Sequence, residues 1–121
     1  MKKLQCSYCG RKGYEAPYLL GIPNLKGLRK LDKNMIFYVF HGGKIIHLCV
    51  RCQIECDEEE AKKSELNSQR VEKAAREIFG KPFAQIQDNE EQRLRVVTSV
   101  KYLKNPFYAR LDRKLKKTGT N

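Results

Sequence analysis

"HLCVRCQIEC", His47 to Cys56, is the stretch on which the fold turns. It carries three of the five cysteines and one of the two histidines in a chain of 121 residues. The other two cysteines stand in "CSYCG", Cys6 to Gly10. Each stretch holds a Cys-x2-Cys pair, Cys6 with Cys9 and Cys49 with Cys52. A two-residue spacer lets both sulfurs of a pair reach one ion, and two pairs fill the four positions of tetrahedral zinc. The expectation is one structural Zn2+ held by Cys6, Cys9, Cys49 and Cys52. Four protein ligands leave no open position for a substrate, which argues against a catalytic metal. Zinc then contributes directly to folding a segment whose own core is small. Cys56 exceeds the four-ligand count. One helical turn beyond Cys52, it reads as a small buried apolar residue packed on the hairpin. His47, two residues before Cys49 on a strand, reads as a strand residue or a neighbour of the site rather than a ligand.

Working outward, "LQCSYCGRKG", residues 4–13, reads as a zinc knuckle, with Gly10 permitting the tight turn after Cys9. Residues 35–49 read as a hairpin: "MIFYVF" is β-branched and aromatic, "HGG" turns the chain, and "KIIHLC" returns to Cys49. A helix begins near Cys52, with acidic residues in its early turns and a stop at Gly80 and Pro82; it is one long helix or two. The order knuckle, hairpin, helix predicts a small α+β zinc-binding treble clef. Residues 14–34, mixing Pro, Gly and basic residues around "YLL", predict a loop with little regular structure. A further helix is expected in residues 88–104, capped by Asp88 or Asn89, with an apolar stripe of Leu94, Val97, Val100 and Leu103. Pro106 suits a first helical position, and Phe107, Leu111 and Leu115 recur four apart in a last, basic helix. The expected organisation is a zinc module over residues 1–60, a helical, basic extension over 61–117 and a disordered tail over 118–121.

The formal charge is +11 and the isoelectric point about 9.6. Residues 1–53 carry ten Lys/Arg against two Asp/Glu, residues 54–100 eight against eleven, and residues 101–121 seven against one. Two basic ends flanking an acidic-to-neutral middle point to an anionic partner, nucleic acid first. "MKKLQC" lacks the apolar stretch of a secretion signal, and an odd number of cysteines suits metal ligation better than a disulfide framework. Both features predict a cytoplasmic protein. No run is apolar enough to span a membrane, so no membrane partner is expected.

"CSYCGRK", "YLLGIP" and "LCVRCQIEC" together resemble the N-terminal C4 zinc-binding domain of ClpX, the unfoldase partner of the Clp protease. Gly10 follows the first pair as in that family. Leu19, Leu20 and Pro23 stand where the family has an apolar pair and a proline. Cys49, Cys52 and Cys56 reproduce its Cys-x2-Cys-x3-Cys run, of which the first two bind zinc. The resemblance covers residues 4–23 and 45–57, separated by an insertion of roughly twenty residues that builds or lengthens the hairpin. It implies a treble clef that dimerises or receives proteins. No Gly-x4-Gly-Lys-[Ser/Thr] loop occurs, so the chain has no ATPase element of an unfoldase.

The function expected first is therefore a non-enzymatic interaction module, regulatory in character, with a protein partner or a second copy docking on Tyr18, Leu19, Leu20 and Ile22. No small-molecule substrate is inferred. The alternative is a nucleic-acid-binding regulator of phage or mobile-element type. It would use Lys26, Arg29, Lys30 and Lys33 in the loop and Lys101, Lys104, Arg110, Arg113, Lys114, Lys116 and Lys117 in the tail. Remotest is a degenerate nuclease of the His-Asn-His type. His41 stands where such an enzyme keeps a histidine, but the following helix supplies no second one.

Overall fold

The computed structural model describes residues 2–17 and 21–117. The chain forms an α+β structure with a four-stranded mixed sheet of order β1-β2-β3-β4. Strands β1 (Lys3–Gln5) and β2 (Lys12–Glu15) are antiparallel and flank the first cysteine pair. β3 (Met35–His41) runs parallel to β2 and antiparallel to β4 (Lys44–Cys49). Between β2 and β3 lies α1 (Leu25–Leu28). After β4 come α2 (Val50–Phe79), α3 (Phe83–Ile86), α4 (Glu90–Ser99) and α5 (Pro106–Lys117).

The hairpin forms as its sequence dictates. β-Branched and aromatic runs pair from Ile36 with Cys49 to His41 with Lys44. Gly42 and Gly43 turn the chain with φ of 59° and 78°, a region that L side chains avoid. Residues 14–34 hold more structure than their Pro and Gly content suggests. Tyr14 and Glu15 extend β2 and pair with Met35 and Ile36. Asn24 caps α1 by accepting from the Gly27 amide at 3.0 Å, and Leu28 is fully buried beneath it. One buried leucine and one cap suffice for this single turn.

The helix after β4 is one continuous element of 30 residues. It starts at Val50, so its first turn contains no acidic residue, and Asp57 to Glu60 lie beyond the reach of its N-terminal dipole. α4 starts after Asn89, whose side chain accepts from the Gln92 amide at 3.1 Å. It ends at Ser99, with Val100 already extended. The apolar stripe expected on it is accordingly displaced. Val96 is the residue it buries, Leu94 is 48% exposed, and Val100 and Leu103 lie past its end.

By contacts the chain divides into two compact units. Residues up to Glu59 together with those from Asn105 onward form the first, and Glu60–Lys104 the second. The expected extension of residues 61–117 is thus split between them. In the first unit one core joins Leu4, Ile36, Ile46 and Leu48 to Phe107, Leu111 and Leu115 of α5. A second packs Leu28, Phe37, Val50 and Ala16. In the second unit Ala75, Ile86 and Val96 are the buried centre. The expected tail, residues 118–121, lies outside the described residues. No helix among the described residues is long and apolar enough to cross a membrane.

Candidate metal centre

The β1–β2 turn delivers the first cysteine pair. The Cys6 amide donates to the Arg11 carbonyl at 2.8 Å and the Gly10 amide to the Cys6 carbonyl at 2.9 Å, closing the turn. Gly10 adopts φ 79° there, as its position after Cys9 requires. Cys49 is the last residue of β4, and Cys52 lies in the first turn of α2. The knuckle is tied to the hairpin by the Ser7 amide, which donates to the His47 carbonyl at 2.7 Å.

These elements bring the Sγ atoms of Cys6, Cys9, Cys49 and Cys52 within 4.8 Å of one another, an arrangement that could hold one metal ion. Cys6 to Cys52 and Cys9 to Cys49 are each 3.7 Å between sulfurs. Three of the four are buried and Cys9 is exposed. The Cys49 amide also donates to the Cys6 sulfur at 3.3 Å. Hydrogen bonding from the Cys49 and Cys52 thiols holds Cys6 far below the ordinary thiol range. Cys52 is pushed far up, by donation to Cys49 and Cys6 and by burial. Four sulfurs this close cannot all ionise unaided; a divalent cation would supply the charge that lets them do so together.

Cys56 stays outside the cluster. It is buried in the same core as Cys6, Cys49 and Cys52, and its carbonyl accepts from the Asn105 side chain at 3.1 Å. His47 is likewise no member of the cluster; its ring meets Tyr38 edge-on at 5.0 Å. His41 Nε2 lies 2.7 Å from Asp112 Oδ1, and its ring stacks on Tyr108 at 5.5 Å.

Of the basic candidates, Arg110 and Lys114 bind within the protein. Arg110 donates to Glu59 at 2.6 Å and to the Tyr8 hydroxyl at 2.8 Å. Lys114 donates to the Tyr8 carbonyl at 3.0 Å, its Nζ 4.0 Å from the centre of that ring. Tyr8 in turn stacks on Phe107 at 4.5 Å. These contacts fasten α5 over the knuckle. Nothing in the spacing of Tyr8, Glu59 and Asn105 along the chain announces that role. Arg29 pairs with Glu58 at 3.7 Å, and Lys33 Nζ donates to the Arg29 carbonyl at 3.1 Å. Lys26 and Lys30 are exposed beside them, as are Arg113, Lys116 and Lys117 on α5. Lys101 and Lys104 belong to the second unit. Of the expected apolar patch, Ile22 is 44% exposed, while Tyr18, Leu19 and Leu20 lie outside the described residues. Comparison with protein-family models, with curated proteins and with solved structures returns no match in any of the three.

Proposed function

We propose that Cys6, Cys9, Cys49 and Cys52 hold one structural zinc ion, and that the unit around it is a non-enzymatic interaction module of treble-clef type. The observation that carries the metal is the sulfur spacing. Zinc–thiolate bonds of about 2.3 Å give a tetrahedron with edges of about 3.8 Å. The 3.7 Å separations of Cys6 from Cys52 and Cys9 from Cys49 fit those edges. All four positions are then protein sulfur, so the ion has no site for a substrate and its work is structural. Its ligands belong to the main core of the unit, in which Cys6, Cys49 and Cys52 pack with Phe107 and Leu111.

The succession of knuckle, hairpin and helix, with ligands at the turn, the strand end and the helix start, supports the treble-clef assignment and the kinship with the ClpX zinc-binding domain. His41 engages Asp112 and Tyr108, so a packing role suits it better than a nuclease role.

Cobalt(II) exchange tests the metal reading. The zinc-free chain refolded with cobalt(II) is expected to develop the intense visible bands of tetrahedral thiolate coordination at one equivalent. Octahedral, weakly absorbing cobalt would contradict a four-thiolate site. Affinity capture with the metal-loaded chain, with and without nuclease treatment, tests the interaction reading. A partner recovered in both cases is a protein; one lost to nuclease is bound through nucleic acid.

A further inference from the structure

The β3–β4 hairpin buries one face; on the other, Ile36 and Cys49 are buried and the residues nearer the turn are open. Tyr38 pairs with His47 and Phe40 with Ile45 directly across the two strands, so these four side chains share a face. Phe40 is 76% and Ile45 65% exposed, and Tyr38 is exposed beside them. Exposed apolar and aromatic side chains grouped on one strand face are a candidate contact surface. His47 also lines a cleft of about 770 Å³ that runs along the first cysteine pair, with Lys3, Ser7, Lys114 and Lys117 on its walls beside Cys6 and Cys9. The aromatic face and the cationic cleft therefore meet at His47. The unit that contains them carries fifteen Lys/Arg against seven Asp/Glu.

We propose that this face is a stacking platform for single-stranded nucleic acid, with bases on Tyr38 and Phe40 and the phosphate backbone against Lys3 and Lys117. The platform names the partner class of the interaction module and rests on that reading. Flat rings offered to solvent, with lysines in the cleft that adjoins them at His47, match a ligand that presents π-faces and phosphates together. A duplex hides its base faces in the stack, whereas an extended single strand displays them. Successive rings on one strand face are about 6.7 Å apart, which leaves each ring free to take its own base. Lys114, already held by Tyr8, contributes positive potential to the cleft rather than a direct contact.

The test titrates the full, zinc-loaded chain with fluorescently labelled oligo-dT and oligo-U, with the matching duplexes and with anionic phospholipid vesicles. Both single strands are expected to bind more tightly than either duplex, with quenching of tyrosine emission; their ratio tells DNA from RNA. Phe40→Ala and Tyr38→Ala are each expected to weaken binding roughly tenfold. Lys117→Ala is expected to lower the slope of log affinity against log salt by about one. Phe40 and Lys117 are exposed, so these variants should keep their zinc and their circular dichroism, and both are measured on the same samples. No binding at low salt by a chain that carries its zinc overturns the platform and leaves the metal reading intact. Binding indifferent to Phe40→Ala overturns it too. So does a preference for vesicles, or self-association of the chain that Phe40→Ala abolishes.

Discussion

Cys52 and Cys56 differ by one helical turn and by their whole chemistry. Cys52 belongs to the sulfur cluster, whereas Cys56 is buried among Ile36, Phe107 and Leu111. Cys52→Ala is expected to abolish stoichiometric metal binding, since three ligands leave a site that water must complete. Cys56→Ala is expected to keep one metal per chain and to cost about 1 kcal/mol, the loss of one buried heavy atom. Metal titration and denaturant melts of the two variants check this directly. A second residue-scale effect concerns the contact between Tyr14 and Asp32, whose oxygens are 2.7 Å apart. The Asn34 amide, then the Tyr14 hydroxyl, hold the Asp32 carboxyl below its ordinary range. Asp32 holds the Tyr14 phenol above its own. The stabilisation from Asp32 is therefore present at neutral pH and is lost as pH falls through its folded value. That from Tyr14 is lost as pH rises past the phenol range. Tyr14→Phe should remove the alkaline dependence and only weaken the acid one, because the Asn34 amide still donates to Asp32; denaturant melts across pH would expose an unchanged profile. At this scale the sulfur cluster was legible because two Cys-x2-Cys pairs carry their spacing in the sequence itself. The partners of Arg110 were not, because Tyr8 and Glu59 are distant in sequence and carry no motif.

Elements differ in how much of them their own sequence specifies. The β3–β4 hairpin is local: two β-forming runs, a Gly-Gly turn, and a register that follows from it. β1 and β2 are three and four residues long, too short for a period of two to register, and the parallel pairing of β2 with β3 is a non-local choice. Gly13 marks that pairing, because a Cβ there would collide with the Asn34 carbonyl. Gly13→Ala is expected to separate β2 from β3 and to destabilise the first unit by several-fold more than the about 1 kcal/mol of a typical substitution. Hydrogen exchange at Tyr14 and Ala16, whose amides donate to Asn34 and Ile36, reads it out. α4 shows the opposite failure: its cap at Asn89 was legible, but its buried face was not. A ten-residue helix offers too few turns to fix the phase of a stripe. In α5 the phase is unambiguous, with Phe107, Leu111 and Leu115 all buried. Phe107→Ala is expected to cost about 3–5 kcal/mol and to loosen α5 from the knuckle.

For the whole molecule, the zinc proposal makes one unit conditional on its metal and not the other. Cys6, Cys49 and Cys52 take their places in the core that unites β1, the hairpin, α2 and α5. The second unit has its own buried centre at Ala75, Ile86 and Val96. Chelation is therefore expected to erase amide protection in residues 3–59 and 105–117 and to preserve it around Val96. Acid should act as chelator does, because protons compete with the ion for the thiolates. The division of the chain into these two units could not be read from composition, since α5 rejoins the first unit after 45 intervening residues. The measurement that bears most directly on this account is elemental analysis of the purified chain. One zinc per chain, falling to none in Cys52→Ala and staying at one in Cys56→Ala, is the predicted result; a wild-type chain that folds without any bound metal contradicts it.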